Sequence, residues 1–237
     1  MPPYLDRNDA GRQLAGLLSA FRGRDVVVLS PPGAGVPVAY ALASTLRVLL
    51  DVILIRPLSV PRRPDLVYGL LGEDRSLLID TAAVADGAIA DPERVHTEQE
   101  QENILRHNAF DLRGHRPRVS LDDRTVVIAE EFVTDATALR DACRMARLQG
   151  AIRIAVAVSV GDPRELDTLS VYADKIVCLE PAPRAAPDTI RELSTTNADI
   201  AAMLAANHAA EWSTVTTVLN DRSIPPIRSF PLRDPCA

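Results

Sequence analysis

Five short runs of almost unbroken apolar residues punctuate this chain: Asp25–Leu29 (DVVVL), Asp51–Ile55 (DVILI), Thr125–Ala129 (TVVIA), Ile152–Val158 (IRIAVAV) and Lys175–Leu179 (KIVCL). None shows sustained apolar–polar alternation. Each therefore reads as a strand covered on both faces, as inside a parallel sheet. The segments between them change period. Leu14, Leu17, Leu18 and Phe21 fall three and four apart within residues 8–22 and mark one face of a helix. Val36–Leu46 reads as a helix with Pro37 in its first turn, where a missing N–H costs nothing. Ala136–Gln149 reads as another, stopped by Gly150. A short helix falls near Pro163–Tyr172. Strands alternating with helices predict an α/β fold: an open, mostly parallel sheet with helices on both faces.

Two regions break the rhythm. Leu66–Leu71 and Ser76–Asp80 flank the turn Gly72-Glu73-Asp74-Arg75 and predict a hairpin. Asp91–His107 follows as a polar helix whose carboxylates read as a solvated face. Together they form an insertion spanning 60–115. After Leu179 the pattern weakens. Pro181, Pro183 and Pro187 mark a loop, Asn197–Trp212 is an alanine-rich helix, and Asn220–Ala237 is a proline-rich tail. The chain thus divides into a main domain over 1–195 and a helix with tail over 196–237. Trp212, the alanine-rich helix and the tail exceed what one small core needs. Two-fold pairing is the commonest arrangement, so a homodimer is expected.

Composition narrows the function classes. The 237 residues carry a net charge of -6, which argues against a nucleic-acid partner. Cations are almost all arginine, since Lys175 is the one lysine. Cys143, Cys178 and Cys236 have no ligand-like spacing and predict no disulfide framework. His96, His107, His115 and His208 show no metal spacing. The first residues do not resemble a signal segment. No apolar run nears the roughly 18 residues of a membrane span. A soluble cytoplasmic protein without membrane attachment is the expectation.

Two loops sit where ligands bind in an open α/β sheet, at the carboxyl ends of strands. The first is Ser30–Gly35 (SPPGAG), the second Glu130–Thr137 (EEFVTDAT). Each precedes a helix, whose free N–H groups and dipole favour anions. Gly33, Ala34 and Gly35 allow a close backbone approach. A Gly-x-Gly after a strand also suits a dinucleotide fold, with Arg56 accepting a ribose 2-phosphate. That fingerprint wants a third glycine where Val38 stands.

The second loop, with its strand, acidic pair, small-residue turn and helix, resembles the phosphoribosyl-diphosphate (PRPP) loop of type I phosphoribosyltransferases. Leu29-Ser30-Pro31-Pro32-Gly33-Ala34-Gly35-Val36-Pro37-Val38-Ala39 resembles, without a gap, the L-G-L-P-R-G-G-V-P-V-A of stand-alone, actinobacterial-style members. Ile55-Arg56-Pro57-Leu58-Ser59-Val60-Pro61 and Pro64-Asp65-Leu66-Val67-Tyr68-Gly69 continue the likeness. So do Val177-Cys178-Leu179 and Ser194-Thr195-Thr196. The resemblance covers residues 8–205 and implies a type I phosphoribosyltransferase-like fold, with 60–115 as its hood. It implies a phosphorylated small molecule as ligand, contacted by Glu130, Thr134, Asp135, Ala136, Thr137, Gly33, Ala34, Gly35 and Arg56. If the protein is active, magnesium would accompany PRPP; otherwise no cofactor is expected.

The departures fall on charged positions. The family's pyrophosphate-loop arginine falls on Gly33 and its lysine on Pro57. Its first PRPP-loop aspartate falls on Ala129, leaving Glu130 for the second, while Glu131 meets a variable position. Its phosphate-turn glycine falls on Asp135, where a carboxylate can cap the following helix in place of a phosphate. Two cations are lost and one anion gained. At about 4 Å and an effective dielectric near 20, each like-charge contact costs on the order of 4 kcal/mol before screening. This favours a protein that has lost PRPP chemistry and works in binding or regulation. A working transferase for an unidentified acceptor is the alternative.

Overall fold

The computed structural model describes residues 4–182 and 194–210. Eight strands and seven α-helices make up these residues. Five strands form one all-parallel sheet: β1 (Val26–Ser30), β2 (Leu49–Val52), β6 (Thr125–Val133), β7 (Arg153–Gly161) and β8 (Lys175–Pro181), in the order β2-β1-β6-β7-β8. The expected doubly covered sheet is present. Val26, Val28, Val127, Ala129, Ala155 and Ala157 pack on one face with α1 (Arg7–Leu17), α2 (Gly35–Leu46), α4 (Asp91–Arg113) and α7 (Asn197–Ala209). Val27, Leu29, Val126, Ile128, Ile154, Val156 and Val158 face α5 (Thr137–Leu148) and α6 (Pro163–Thr168). Each of these valine, leucine and isoleucine side chains removed from water contributes about 1.5–3 kcal/mol.

The remaining strands build the hood, an antiparallel sheet in the order β3 (Ile55–Val60), β4 (Arg63–Gly72), β5 (Leu77–Ile79). It carries α3 (Thr81–Gly87), which the sequence pattern did not announce, and α4. Asp80 starts α3 by accepting the N–H groups of Ala82 and Ala83. The hairpin is as expected, but the hood begins earlier, at Ile55. The run Asp51–Ile55 is not one strand. Its first part pairs with β1 as β2, and Ile55 opens β3. Pro57 is tolerated there because β3 is an edge strand.

Four other boundaries differ. β6 and β7 run on to Val133 and Gly161 because their backbones stay paired past the last apolar residue: Glu130, Phe132 and Val133 lie opposite Val158, Val160 and Gly161. Ladder hydrogen bonding does not depend on side-chain polarity. Pro181 ends β8, an edge strand, rather than opening a loop. α4 continues beyond His107 to Arg113, where buried ion pairs hold its last turn. At the opposite edge, Asn207 of α7 substitutes for a missing strand. Its amide accepts the Leu50 N–H at 2.8 Å and donates to the Val48 carbonyl at 3.1 Å. Trp212, Cys236, Pro183, Pro187 and the proline-rich tail lie outside the described residues.

Candidate functional site

β1 and β6 are parallel neighbours, with Leu29 opposite Ile128. The two loops singled out above therefore leave the same edge of the sheet side by side. They touch. A Cβ built on Gly35 would meet Glu130 Oε1 at 2.5 Å and Ser30 Oγ at 2.9 Å, so only glycine allows this contact. The close approach that Gly35 permits is thus to a carboxylate of the protein itself. Gly33 is constrained differently. Its φ of +147° is a backbone state L side chains rarely adopt, although a Cβ there would meet nothing. The loop conformation itself disfavours an arginine at this position. Ala34 is the N-cap of α2 and offers no side-chain cap.

Glu130 and Glu131 have separate fates. Glu131 is 1% exposed and accepts the Arg7 Nε–H at 2.9 Å, tying the first turn of α1 to β6. Glu130 is partly buried, and one of its oxygens accepts the Glu131 N–H at 2.8 Å. Burial pushes the Glu130 carboxyl up to about 7; that hydrogen bond opposes the rise and the nearby Glu131 charge adds to it. Near neutral pH Glu130 is therefore divided between its neutral and charged forms. Among the described residues no group of three or more His, Cys, Asp or Glu side chains is arranged to hold a metal ion.

The turn before α5 is also supplied with anions. Asp135 Oδ1 accepts the Thr137 N–H at 2.8 Å, and hydrogen bonds from Thr137 hold its carboxyl below the usual range. Ala136, nearly buried, donates its N–H at 3.0 Å to Glu165 of α6. Thr134, Asp135 and Thr137 are exposed. Glu165 is not among the candidates that the sequence pattern picks out. Its one signal is local: Asp162-Pro163-Arg164-Glu165 is a helix start, with Asp162 capping the Arg164 N–H. Only the pairing of β6 with β7 sets it beside Ala136.

Arg56 does not stand at the end of a core strand. It is the second residue of β3, and its Nε–H is donated to Gln101 of α4 at 2.8 Å. No arginine or lysine occurs within Ser30–Gly35 or Glu130–Thr137. Cys143 and Cys178 lie outside these loops, and burial pushes their thiols up to about 12 and about 11, far from reactive thiolates.

Residues 7–185 match the phosphoribosyl transferase domain family. The chain belongs to this family. Two relatives from Mycobacterium tuberculosis, strains CDC 1551 and H37Rv, are each 36% identical over 179 residues and are named provisionally as phosphoribosyl transferases. The matched stretch is 76% of this chain and 40% of theirs, so the chain spans about two-fifths of those relatives. The crystal structure of TT1426 from Thermus thermophilus superposes with a TM-score of 0.72 at 29% identity, covering 85% of this chain and 97% of that one. The type I phosphoribosyltransferase-like fold expected from the sequence is the fold observed. Among the described residues no helix is long and apolar enough to cross a membrane.

Proposed function

We propose that this family member has an altered PRPP site, is non-catalytic or weakly active, and serves either in binding a phosphate- or nucleotide-type small molecule or in regulation. One observation carries the reading. The helix starts that face the ligand cleft are met by the protein's own carboxylates: Glu130 at Gly35 of α2, and Asp135 and Glu165 before α5. Neither loop holds a cation against PRPP's charges. Charge-assisted contacts from arginine or lysine are the strong ones for phosphate, and here they are replaced by repulsion. Titration with PRPP and magnesium in a calorimeter tests this, alongside an assay for pyrophosphate release with purine and pyrimidine bases. The expected result is no saturation at micromolar PRPP and no release.

Family membership favours a second reading, an active transferase using PRPP and an unidentified acceptor. Micromolar binding with base-dependent pyrophosphate release would establish it. We also propose a symmetric dimer in the cytoplasm. Light scattering that gives a monomer mass at tens of micromolar would remove the dimer.

A further inference from the structure

We propose that Glu165 and Asp135 form a two-carboxylate latch that closes the first turn of α5 to phosphate monoesters, with Glu165 as the specificity-determining member. The inference rests on the altered-site reading but adds a residue and a mechanism to it. Successive N–H groups point out of the start of α5. That of Thr137 goes to Asp135 Oδ1 at 2.8 Å and that of Ala136 to Glu165 Oε2 at 3.0 Å. The two carboxylates come from different places. Asp135 is local to the turn, whereas Glu165 lies 29 residues on and reaches across from α6.

The reach is held by backbone. The Asp162 N–H donates to the Val133 carbonyl at 2.9 Å, joining the end of β6 to the start of α6. Asp162 also caps α6 through the Arg164 N–H at 2.9 Å. Leu166, buried beside Glu165, packs against Gly161, where a Cβ would meet its side chain at 2.8 Å. Glu165 is thus anchored on both sides while its carboxylate spans the gap between loops. An incoming phosphate must displace two charge-assisted acceptors and then sit between two negative charges. Removing Asp135 alone leaves the Ala136 N–H engaged and one repelling charge in place. Opening the turn fully requires removal of both.

The test uses the full chain and four variants: Asp135→Gly, Glu165→Gln, Glu165→Ala and the double Asp135→Gly/Glu165→Ala. Inorganic phosphate and ribose 5-phosphate are titrated by calorimetry, with the Ala136 and Thr137 amides followed by NMR. Each single variant should gain about tenfold in phosphate affinity, and the double more than the product of the singles. Glu165→Gln keeps an acceptor for the Ala136 N–H without its charge and should fall between wild type and Glu165→Ala. Circular dichroism confirms that each variant is folded. The latch is overturned if the wild type already takes inorganic phosphate with shifts at Ala136 and Thr137. A folded double variant that gains no affinity overturns it equally. Turnover of PRPP by the wild type would sink the altered-site reading instead, a result read in a different assay.

Discussion

Among the described residues, the Asp51–Glu73 pair and Glu130 are both withdrawn from water, and the protein treats them differently. At the base of the hood, Asp51 and Glu73 surround Arg113, which is 5% exposed. Its guanidinium donates to Asp51 at 2.6 Å, to both oxygens of Glu73 at 2.6 and 2.9 Å, and to the Val52 carbonyl at 2.8 Å. Asp51 also accepts the N–H groups of Val52 and Val119. Burial leaves the Glu73 carboxyl above its ordinary value, although the Arg113 guanidinium opposes the rise. At the carboxyl end of β6, Glu130 is partly buried against Gly35 with no cation pairing it among the described residues. The first acid group joins edge strand, hairpin turn and α4 through its burial. The second keeps the strain of burial as a raised pKa.

The largest expected effect comes from breaking the compensated side. Arg113→Ala should cost about 3–5 kcal/mol in urea unfolding, because two buried carboxylates lose their counter-charge. A loss below about 1 kcal/mol would mean that the network contributes little and the contrast is false. On the uncompensated side, Glu130 has a folded pKa of about 7, above its ordinary 4.5. Between those values the folded state holds more protons than the unfolded one. Stability from this group is therefore greatest below about pH 4.5, falls as pH rises, and levels off above about 7, by on the order of 3 kcal/mol in all. Glu130→Gln should remove that slope, making the variant more stable than the wild type at pH 8 but not at pH 4. Identical pH profiles of urea midpoints for the two proteins would refute the assignment.

A smaller effect sharpens the geometry. Gly35→Ala puts a Cβ against the Glu130 carboxylate and should cost about 1–3 kcal/mol, as overpacking does. Glu130→Ala on the same background should return part of it. Additive effects in that double-mutant cycle would show that the two loops do not touch as described. The smallest change is at the turn. Asp135→Gly should lower thermal stability by only a few tenths of a kcal/mol, since glycine caps are nearly as good. A loss above about 1 kcal/mol would mean that Asp135 is mainly structural.

Much of the scaffold was legible in the chain. The apolar runs Asp25–Leu29, Thr125–Ala129 and Ile152–Val158 announced a parallel sheet, because strands covered on both faces need no polar alternation. The ends were less legible. β6 passes through Glu130 and Glu131 because its partner β7 continues beside it. The hidden role of Asp51 had a trace, a lone acid opening an apolar run. Its partner Arg113 lies 62 residues away at the end of a helix that read as polar and solvated. Arg7, the counter-charge of Glu131, is 124 residues from it.

The chain alone told which residue types stand in the two loops: no cation, three acids and a pair of glycines. Those facts are local and need no fold. What Glu130 and Glu131 do, and which further acid joins them, came only with the packed fold. Glu131 is neutralised by α1, Glu130 is pressed against α2, and Glu165 is brought across from α6 to the Ala136 N–H. The physical reason lies in range. Periodicity reports which face of an element is buried, but not against what. A carboxylate's charge state and partner depend on groups within a few ångströms, and strand order sets which groups those are.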